Sequence, residues 1–221
     1  VMLFPVFFHD YGRKGIWMAV FHSISAFCNA GFDLLGTASH KFSSLVNYAW
    51  NPVVNLVIMF LIVIGGIGFL TWDDIYTNKW NFRRYRLQSK LILMTTAGLI
   101  LLPAIFFFFC DFKNLTIGKR LLASFFQSVT TRTAGFNTVE ISDMTEASKA
   151  VMILLMLVGG SPGSTAGGIK TTTFTVLLLN AVATFRNQES AGAFGRRLEY
   201  HVIKNAATIA MLYFVLFFCG G

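Results

Sequence analysis

The sequence predicts an all-α membrane protein built from repeated units, each with a spanning helix, a shorter helix with a loop, and a second spanning helix. Two observations predict this class. Of the 221 residues, 55% are hydrophobic and only 13% are charged, whereas soluble domains carry about 25% charged residues. The apolar residues are also gathered into runs, several of them long enough to cross a bilayer. These features exclude a disordered chain, a fibrous chain and an ordinary soluble enzyme.

The basic residues are distributed as membrane topology requires. The net charge is +8, but Lys and Arg lie in short stretches between apolar runs, whereas a nucleic-acid-binding module concentrates them on one soluble face. We therefore expect no nucleic-acid partner. The three cysteines, Cys28, Cys110 and Cys219, are far apart in or beside apolar runs, which predicts buried thiols rather than a disulfide framework or a metal site.

The apolar runs predict the membrane crossings. A run of about 20 apolar residues spans the hydrocarbon core. The run that ends at Trp72 is bracketed by Trp50 and Trp72, as aromatic belts bracket spanning helices. Both ends of the sequence lie in or beside apolar runs, so we expect a portion of a longer membrane protein. The predicted crossings are Val1–Phe8 (the end of one helix), Pro52–Trp72, Leu91–Phe109, Ala147–Leu179 (interrupted) and Val202–Cys219 (the start of another).

The short connecting stretches predict the orientation of the chain. Lys and Arg are concentrated in 73–90 and 186–204, and short cytoplasmic loops carry an excess of these residues. Both stretches are therefore predicted to be cytoplasmic. The chain between them must leave and return, which places 111–149, and likewise 8–51, on the outer side.

The outer stretches contain an internal repeat. Gly15–Cys28 and Leu115–Arg132 resemble helices but are too short to span. They end in related phrases, FHSISAFCNAGFD (21–33) and FQSVTTRTAGFN (126–137). The Ala-Gly-Phe units are 104 residues apart and the helical portions are 105 apart, so one residue is inserted or deleted between them. The unit of roughly 100 residues crosses the membrane twice, so successive units point the same way.

The repeated phrase predicts an ion filter. A helix too short to span must turn back, and the irregular backbone after it survives only if it is buried or lines a wet cavity. Glycine permits dihedrals that turn carbonyls inward, and rings of carbonyls replace the water around a permeating cation. The aromatic residue is expected to anchor the strand on the short helix. The alternative is a turn in a packed loop. The predicted filter is Asn29, Ala30, Gly31, Phe32, Thr133, Ala134, Gly135 and Phe136, with the cation at the backbone carbonyls of Asn29, Ala30, Gly31, Thr133, Ala134 and Gly135.

The interrupted crossing predicts an unwound segment in the membrane. Five Gly and one Pro within 159–168 cannot hold a regular helix, and unwound backbone at this depth should border a polar cavity. A contact of small residues between helices is the alternative. A phosphate loop is disfavoured because Ile169 separates Gly168 from Lys170. Lys170 either extends to the inner interface or makes a gating contact. The segment comprises Gly159, Gly160, Ser161, Pro162, Gly163, Ser164, Thr165, Ala166, Gly167 and Gly168.

Several other residues carry two interpretations each. Asp33 and Asn137 either attract cations at the outer mouth or are solvated loop residues. Arg132 either braces the filter by hydrogen bonds to carbonyls or is a rim charge. His22 is expected to be a packing or hydrogen-bonding residue. The glycines at 65, 66 and 68 are expected to permit close helix packing.

Three motifs together resemble the Ktr/Trk/HKT superfamily of potassium transporters, and most of all its Ktr-type membrane subunit: SAFCNAGFD (25–33), TTRTAGFN (130–137) and GGSPGSTAGGIKTTTF (159–174). The resemblance covers essentially the whole chain. It implies helix–pore-loop–helix repeats around a pseudo-fourfold central pore, of which this chain is a part. The expected division is 1–90 for the second repeat, 91–185 for the third, and 186–221 for the start of the fourth.

The resemblance also implies a function. It implies potassium uptake across the cell membrane by a multi-pass protein, with the 159–170 loop as a gate under the filter, and no enzymatic activity. It implies K⁺ as the transported ion, stimulation by Na⁺ or symport with it, no organic cofactor, and a homodimer in the lipid bilayer on a cytosolic nucleotide-binding regulatory ring. The alternatives are a transporter of sodium or another monovalent cation with the same architecture, and a solute carrier with discontinuous helices.

Overall fold

The computed structural model describes residues 2–37, 43–79, 81–188 and 190–220, so Val1 of the first predicted helix lies outside the described residues. Helices make up most of this part. A two-stranded antiparallel hairpin pairs β1 (Gly192–Ala193) with β2 (Arg196–Arg197). Single 3-10 turns lie at Val46–Tyr48, Phe82–Arg84 and Ile141–Asp143. The α-helices are α1 (Phe4–Tyr11), α2 (Arg13–Phe27), α3 (Pro52–Gly66), α4 (Phe69–Asn78), α5 (Leu87–Cys110), α6 (Ile117–Thr130), α7 (Glu146–Leu157), α8 (Thr171–Phe185) and α9 (Tyr200–Gly220).

Two described helices, α5 and α9, are long and apolar enough to cross a membrane, and α3 with α4 would be a third crossing if the pair is one broken span. The helix α5 contains the predicted span Leu91–Phe109, and α9 contains the predicted Val202–Cys219. The short helices α2 and α6 lie where the repeat predicts them. A helical membrane fold is therefore confirmed.

The predicted continuous span Pro52–Trp72 is wrong. The helix α3 does begin at Pro52, where Asn51 Oδ1 accepts hydrogen bonds from the backbone N–H groups of Val53 and Val54. It ends at Gly66, and α4 then leaves at an angle of 97°. Gly68 lies in the turn with φ +86°, a left-handed value that side chains other than glycine rarely adopt. Hydropathy measures the length of an apolar run and contains no information about such a turn.

The two repeat units share one hydrophobic core. The helix α3 packs against both short helices, α2 and α6, and α1 packs against α2. Phe7 of α1, Ile58 of α3 and Phe126 of α6 are completely buried in this core. The core fixes the ends of α2 and α6 relative to each other, and with them the two predicted filter segments.

The stretches assigned to one side of the membrane contact each other. On the predicted outer side, Leu45 N donates to Asn137 O at 2.9 Å, and Asn137 N donates to Ser44 Oγ at 3.0 Å. On the predicted inner side, the rings of Phe82 and Phe194 lie 6.3 Å apart between centroids. The stretches that are predicted to share one side of the membrane are therefore in contact with each other, as the topology requires. The assignment of outside and inside stays a prediction.

Candidate functional site

The two predicted filter segments have matching backbone conformations. Asn29 and Gly31 have φ values of +50° and +71°, and Thr133 and Gly135 have φ values of +64° and +83°. In each segment, two residues with left-handed φ values are therefore separated by one residue without such a value. The two segments have these residues at equivalent positions, just beyond the end of the short helix. This conformation turns successive peptide groups in a way that a helix or a strand does not.

Each segment is held to its own short helix by a hydroxyl group. Ser25 Oγ donates to Phe32 O at 2.8 Å, and Thr130 Oγ1 donates to Phe136 O at 2.6 Å. Sequence analysis did not single out these two residues. The repeat could have identified them, because Ser25 and Thr130 occupy equivalent positions in helical portions that lie 105 residues apart.

The two segments face each other at their glycines. A Cβ atom on Gly31 would lie 2.4 Å from Ala134 O and 2.9 Å from the Cα of Gly135. A Cβ atom on Gly135 would lie 3.4 Å from the Cα of Gly31. The backbones are thus in direct contact with no space for a side chain at Gly31. The repeated glycines bring peptide groups from two units, 104 residues apart, to one place.

The two phenylalanines of the filter segments differ in their surroundings. Phe136 is completely buried, with its ring centroid 6.5 Å from that of His22 on α2. His22, as expected, is a buried hydrogen-bonding residue, since its Nδ1 lies 2.7 Å from Met18 O. Phe32 is 69% exposed, so the expectation that it anchors its strand is wrong. The ring of Phe136 lies near His22 on the short helix of the other unit. Among the described residues, no ring lies in an equivalent position beside Phe32.

Polar atoms without partners surround the filter segments. Asn29 Oδ1, Thr133 Oγ1 and two guanidinium nitrogens of Arg132 are buried, with no hydrogen-bond partner in the described part of the chain. Arg132 is only 4% exposed. It is therefore neither a rim charge nor a brace on the filter carbonyls, and both interpretations from sequence are wrong. Buried polar groups are normally paired with protein or water, so the surroundings of the filter are polar.

The residues after the filter segments shape the outer connections. Asp33 Oδ1 accepts a hydrogen bond from the backbone N–H of Leu35 at 3.0 Å. Asn137 forms hydrogen bonds through its peptide group with Ser44 and Leu45, as described above. Both residues are half-buried. Their contacts give them a local structural role whether or not they also attract cations.

The interrupted crossing is unwound as predicted. The helix α7 ends at Leu157 and α8 begins at Thr171, so no helix is present on which Gly159, Gly163 and Gly167 could form a contact surface. The segment folds back on itself, because Gly159 N donates to Ile169 O at 2.9 Å and Gly160 N donates to Gly167 O at 3.2 Å. We call 158–170 the intramembrane loop. Lys170 Nζ donates to Ala166 O at 2.8 Å, so this lysine contacts the loop.

The intramembrane loop is bonded to the break between α3 and α4. A helix leaves its last carbonyl groups without partners in the helix itself. The last two carbonyls of α3 accept hydrogen bonds from the loop, and the first N–H of α4 donates to it. These bonds join Ser161 N to Gly66 O (2.9 Å), Thr165 N to Gly65 O (3.2 Å) and Phe69 N to Gly163 O (3.1 Å).

The intramembrane loop also contacts the first filter segment. Thr165 Oγ1 donates to Phe27 O, the last residue of α2, at 2.8 Å, and it accepts from Asn29 Nδ2 at 3.1 Å. A Cβ atom on Gly65 would lie 1.9 Å from Phe27 O, and one on Gly68 would lie 2.6 Å from Pro162 O. These glycines permit close approach, as expected, but to the end of α2 and to the loop.

The geometry describes how a cation could be held. The described residues contain no group of three or more His, Cys, Asp or Glu side chains that could hold a metal ion. The candidate ligands are therefore peptide oxygens of the two filter segments. Both segments follow the C-terminal ends of α2 and α6, and the helix dipole makes such ends partially negative. Partially negative helix ends of this kind favour a positive charge nearby.

Comparison with known proteins identifies a matching family and several relatives. The model of the TrkH family, described as cation transport proteins, matches residues 4–221. The potassium/sodium uptake protein NtpJ of Enterococcus hirae is 40% identical over 215 residues, which cover 95% of this chain and 46% of NtpJ. The Ktr system potassium uptake protein B of Bacillus subtilis is 37% identical over 218 residues, which cover 96% of this chain and 47% of the relative.

A solved structure shows the same fold. The crystal structure of the potassium transporter TrkH from Vibrio parahaemolyticus superimposes with a TM-score of 0.77 at 19% sequence identity. The match covers 97% of this chain and 46% of that chain. The chain thus spans slightly less than half the length of the relatives that it matches.

Proposed function

Because the chain belongs to the TrkH family of cation transport proteins, we propose that it carries two pore loops and the gate of a multi-pass potassium-uptake protein. The observation that supports this proposal best is the direct contact between Gly31 and Gly135. Two matched backbone turns from successive repeats meet there, directly beyond the C-terminal ends of two short helices.

The proposed path begins beside the contact of the two filter segments. Potassium would exchange its water for the carbonyl oxygens of Asn29, Ala30, Gly31, Thr133, Ala134 and Gly135. The partially negative ends of α2 and α6 stabilise a cation at this point. The membrane potential drives inward movement, since one charge gains about 2.3 kcal/mol per 100 mV. No acid–base or nucleophilic side chain is required, which accords with a family of transporters and not of enzymes.

The intramembrane loop is the proposed gate. Its hydrogen bonds to Gly65, Gly66, Phe27 and Asn29 hold it against the filter of one unit, although it belongs to the next. We propose that the loop obstructs the path in this position and that its displacement opens the path. Lys170 holds the loop in shape through Ala166 O.

The complete pore is proposed to need further repeats. We assign 1–90 to the second repeat, 91–185 to the third and 186–221 to the start of the fourth. The exposed ring of Phe32 supports this assignment, because an adjoining repeat would give it a neighbour. The assembly is proposed to be a homodimer of membrane subunits on a cytosolic nucleotide-binding ring, with sodium stimulating or accompanying potassium transport.

Sodium is the alternative substrate. One relative is named a potassium/sodium uptake protein, and two filter segments do not define the selectivity of a complete pore. A solute carrier with discontinuous helices is less well supported, because the family to which the chain belongs is described as cation transport proteins. Uptake of labelled potassium-like and sodium ions by the full-length protein distinguishes these substrates.

The test of the proposal uses the full-length protein in cells that lack potassium uptake. We expect it to restore growth at low potassium, and we expect Gly135→Asp to abolish that growth. Gly118→Asp is the matched control, because Gly118 is exposed on α6 with open space around its Cβ position. Unchanged growth with Gly135→Asp at normal protein levels would remove Gly135 from the permeation path.

A further inference from the structure

An apolar groove of about 630 Å³ lies between α5, α8 and the β1–β2 hairpin. Its walls include Leu99 and Leu102 of α5 and Phe174 and Leu178 of α8. It also contains two threonines, but these are already paired. Thr95 Oγ1 lies 2.6 Å from Thr175 Oγ1, and Thr175 Oγ1 in turn donates to Thr171 O at 2.6 Å. The groove therefore suits an apolar chain.

A second cavity of about 470 Å³ adjoins the groove and has the opposite character. It is lined by Arg196 and Arg197, and it shares Ala193 and Phe194 with the groove. Both arginines are exposed, and among the residues that the structure describes neither forms an ion pair. Lys90 Nζ lies 5.5 Å from the ring centroid of Phe194 and adds a third positive charge beside the junction.

We propose that the groove and the arginine cavity together bind one anionic phospholipid. Its acyl chain would lie in the groove, and its phosphate would lie at Arg196 and Arg197. The helices α5 and α8 are apolar, and the hairpin lies in a stretch that the excess of Lys and Arg assigns to the cytoplasmic side. Basic pockets between helices on that side are suited to acidic lipid headgroups. The site is therefore in the inner leaflet.

The positive charge of Arg196 and Arg197 at the end of the groove favours an anionic phospholipid over a protein helix as the occupant. A helix from another part of the protein, or from a second copy of it, would fill the apolar groove but would leave the arginine cavity unused. An anionic phospholipid carries an apolar chain joined to a phosphate, in the same order in which the two cavities meet at Ala193 and Phe194. The proposal does not depend on which ion the protein transports.

The first experiment measures lipid binding to the purified full-length protein by native mass spectrometry. The probes are phosphatidylglycerol and phosphatidylcholine. We expect tighter binding of phosphatidylglycerol. Replacing Arg196 and Arg197 together by Gln should weaken it by about fivefold per arginine without weakening phosphatidylcholine. Lys204→Gln is the charge control, since Lys204 lines neither cavity.

A second pair of variants tests the groove. Gly98 lines it and has nothing within 4 Å of its Cβ position, so Gly98→Leu should project into the groove and weaken phosphatidylglycerol binding without disturbing the helix. Gly118→Leu, at an equally open helical glycine on α6, should leave binding unchanged. Unchanged affinity in the Arg196/Arg197 variant or in Gly98→Leu would overturn the proposal. Equal binding of both lipids would overturn it too.

Gly98→Cys identifies a protein occupant. If it forms a disulfide with another part of the full-length protein or with a second copy, protein covers the groove and the lipid proposal is wrong. If it stays accessible to a membrane-soluble thiol reagent, the groove is open to lipid as proposed. Ion uptake of the same variants is measured separately, so a failure of the transport proposal would leave the lipid-binding result standing.

Discussion

The side-chain amide of Asn29 donates a hydrogen bond to the hydroxyl group of Thr165 at 3.1 Å, although the two residues are 136 positions apart. The same hydroxyl donates to Phe27 O at 2.8 Å. One side chain of the intramembrane loop is therefore bonded both to the filter segment and to the end of its short helix. The loop cannot leave this position without breaking two hydrogen bonds at the filter, so movement of the proposed gate and the conformation of the filter are coupled.

Thr165→Val tests this coupling in the full-length protein. It removes both hydrogen bonds and leaves two part-buried groups, Asn29 Nδ2 and Phe27 O, without partners, at a cost of up to about 3 kcal/mol for each. We expect a lower preference for potassium over sodium, measured as competition by sodium in rubidium uptake. Thr165→Ser keeps the hydroxyl and should keep the preference. If Thr165→Val has the selectivity of the parent protein, the bond to Asn29 does not shape the filter.

Gly31→Ala tests the contact between the two filter segments. The new Cβ would lie 2.4 Å from Ala134 O, so we expect potassium uptake to be lost. Gly12→Ala is the control for backbone strain, because Gly12 also has a positive φ (+57°) but nothing lies within 4 Å of its Cβ position. Each substitution places an alanine at a positive φ, at a cost on the order of 1–3 kcal/mol. Equal loss of uptake in both variants would assign the effect to strain rather than to the filter.

Deletion of 160–167 tests the gate. The loop is bonded to Gly65, Gly66 and Asn29 beneath the filter, so its removal should raise the rate of ion flux in liposomes that contain the full-length protein. The filter residues are left in place, and flux should therefore still be blocked by Gly135→Asp in the same background. A deletion variant that folds and conducts at the parental rate would show that the loop only packs the helices together.

Gly65→Ala tests the close approach of α3 to α2 by a measurement of stability. A Cβ at Gly65 would lie 1.9 Å from Phe27 O and 2.9 Å from Thr165 Oγ1. We expect the free energy of unfolding to fall by about 1–3 kcal/mol, as for overpacked sites, and the thermal midpoint in detergent to fall with it. Gly98→Ala, in an open part of α5, should be neutral or stabilising by up to about 1 kcal/mol. Equal midpoints for the two variants would contradict the packing described.

The repeat explains why sequence analysis located the filter segments. A short helix followed by Ala-Gly-Phe occurs twice, and the two copies indicate the same left-handed turns that the structure shows at Gly31 and Gly135. The unwound segment was equally predictable, because five Gly and one Pro in 159–168 are incompatible with a helix. The repeat was sufficient in the first case, and local composition was sufficient in the second.

Other features depend on contacts between distant residues, and local composition does not contain them. The break in Pro52–Trp72 exists because Gly68 turns the chain and the freed carbonyls of Gly65 and Gly66 are bonded by the loop 95 or more residues later. The different surroundings of Phe32 and Phe136 also depend on distant residues, since Phe136 lies near His22 of the other unit and Phe32 is exposed in the described part of the chain. The burial of Arg132 likewise could not be read from its neighbours in sequence.

The most direct test of the account locates the ion itself. Anomalous scattering from rubidium in crystals of the full-length protein would show where a potassium-like ion binds. We predict a peak beside the contact of Gly31 and Gly135, bordered by the backbone carbonyls of 29–31 and 133–135. A peak coordinated by side chains elsewhere, with none beside this contact, would contradict the proposal that peptide oxygens of the repeated turns hold the transported ion.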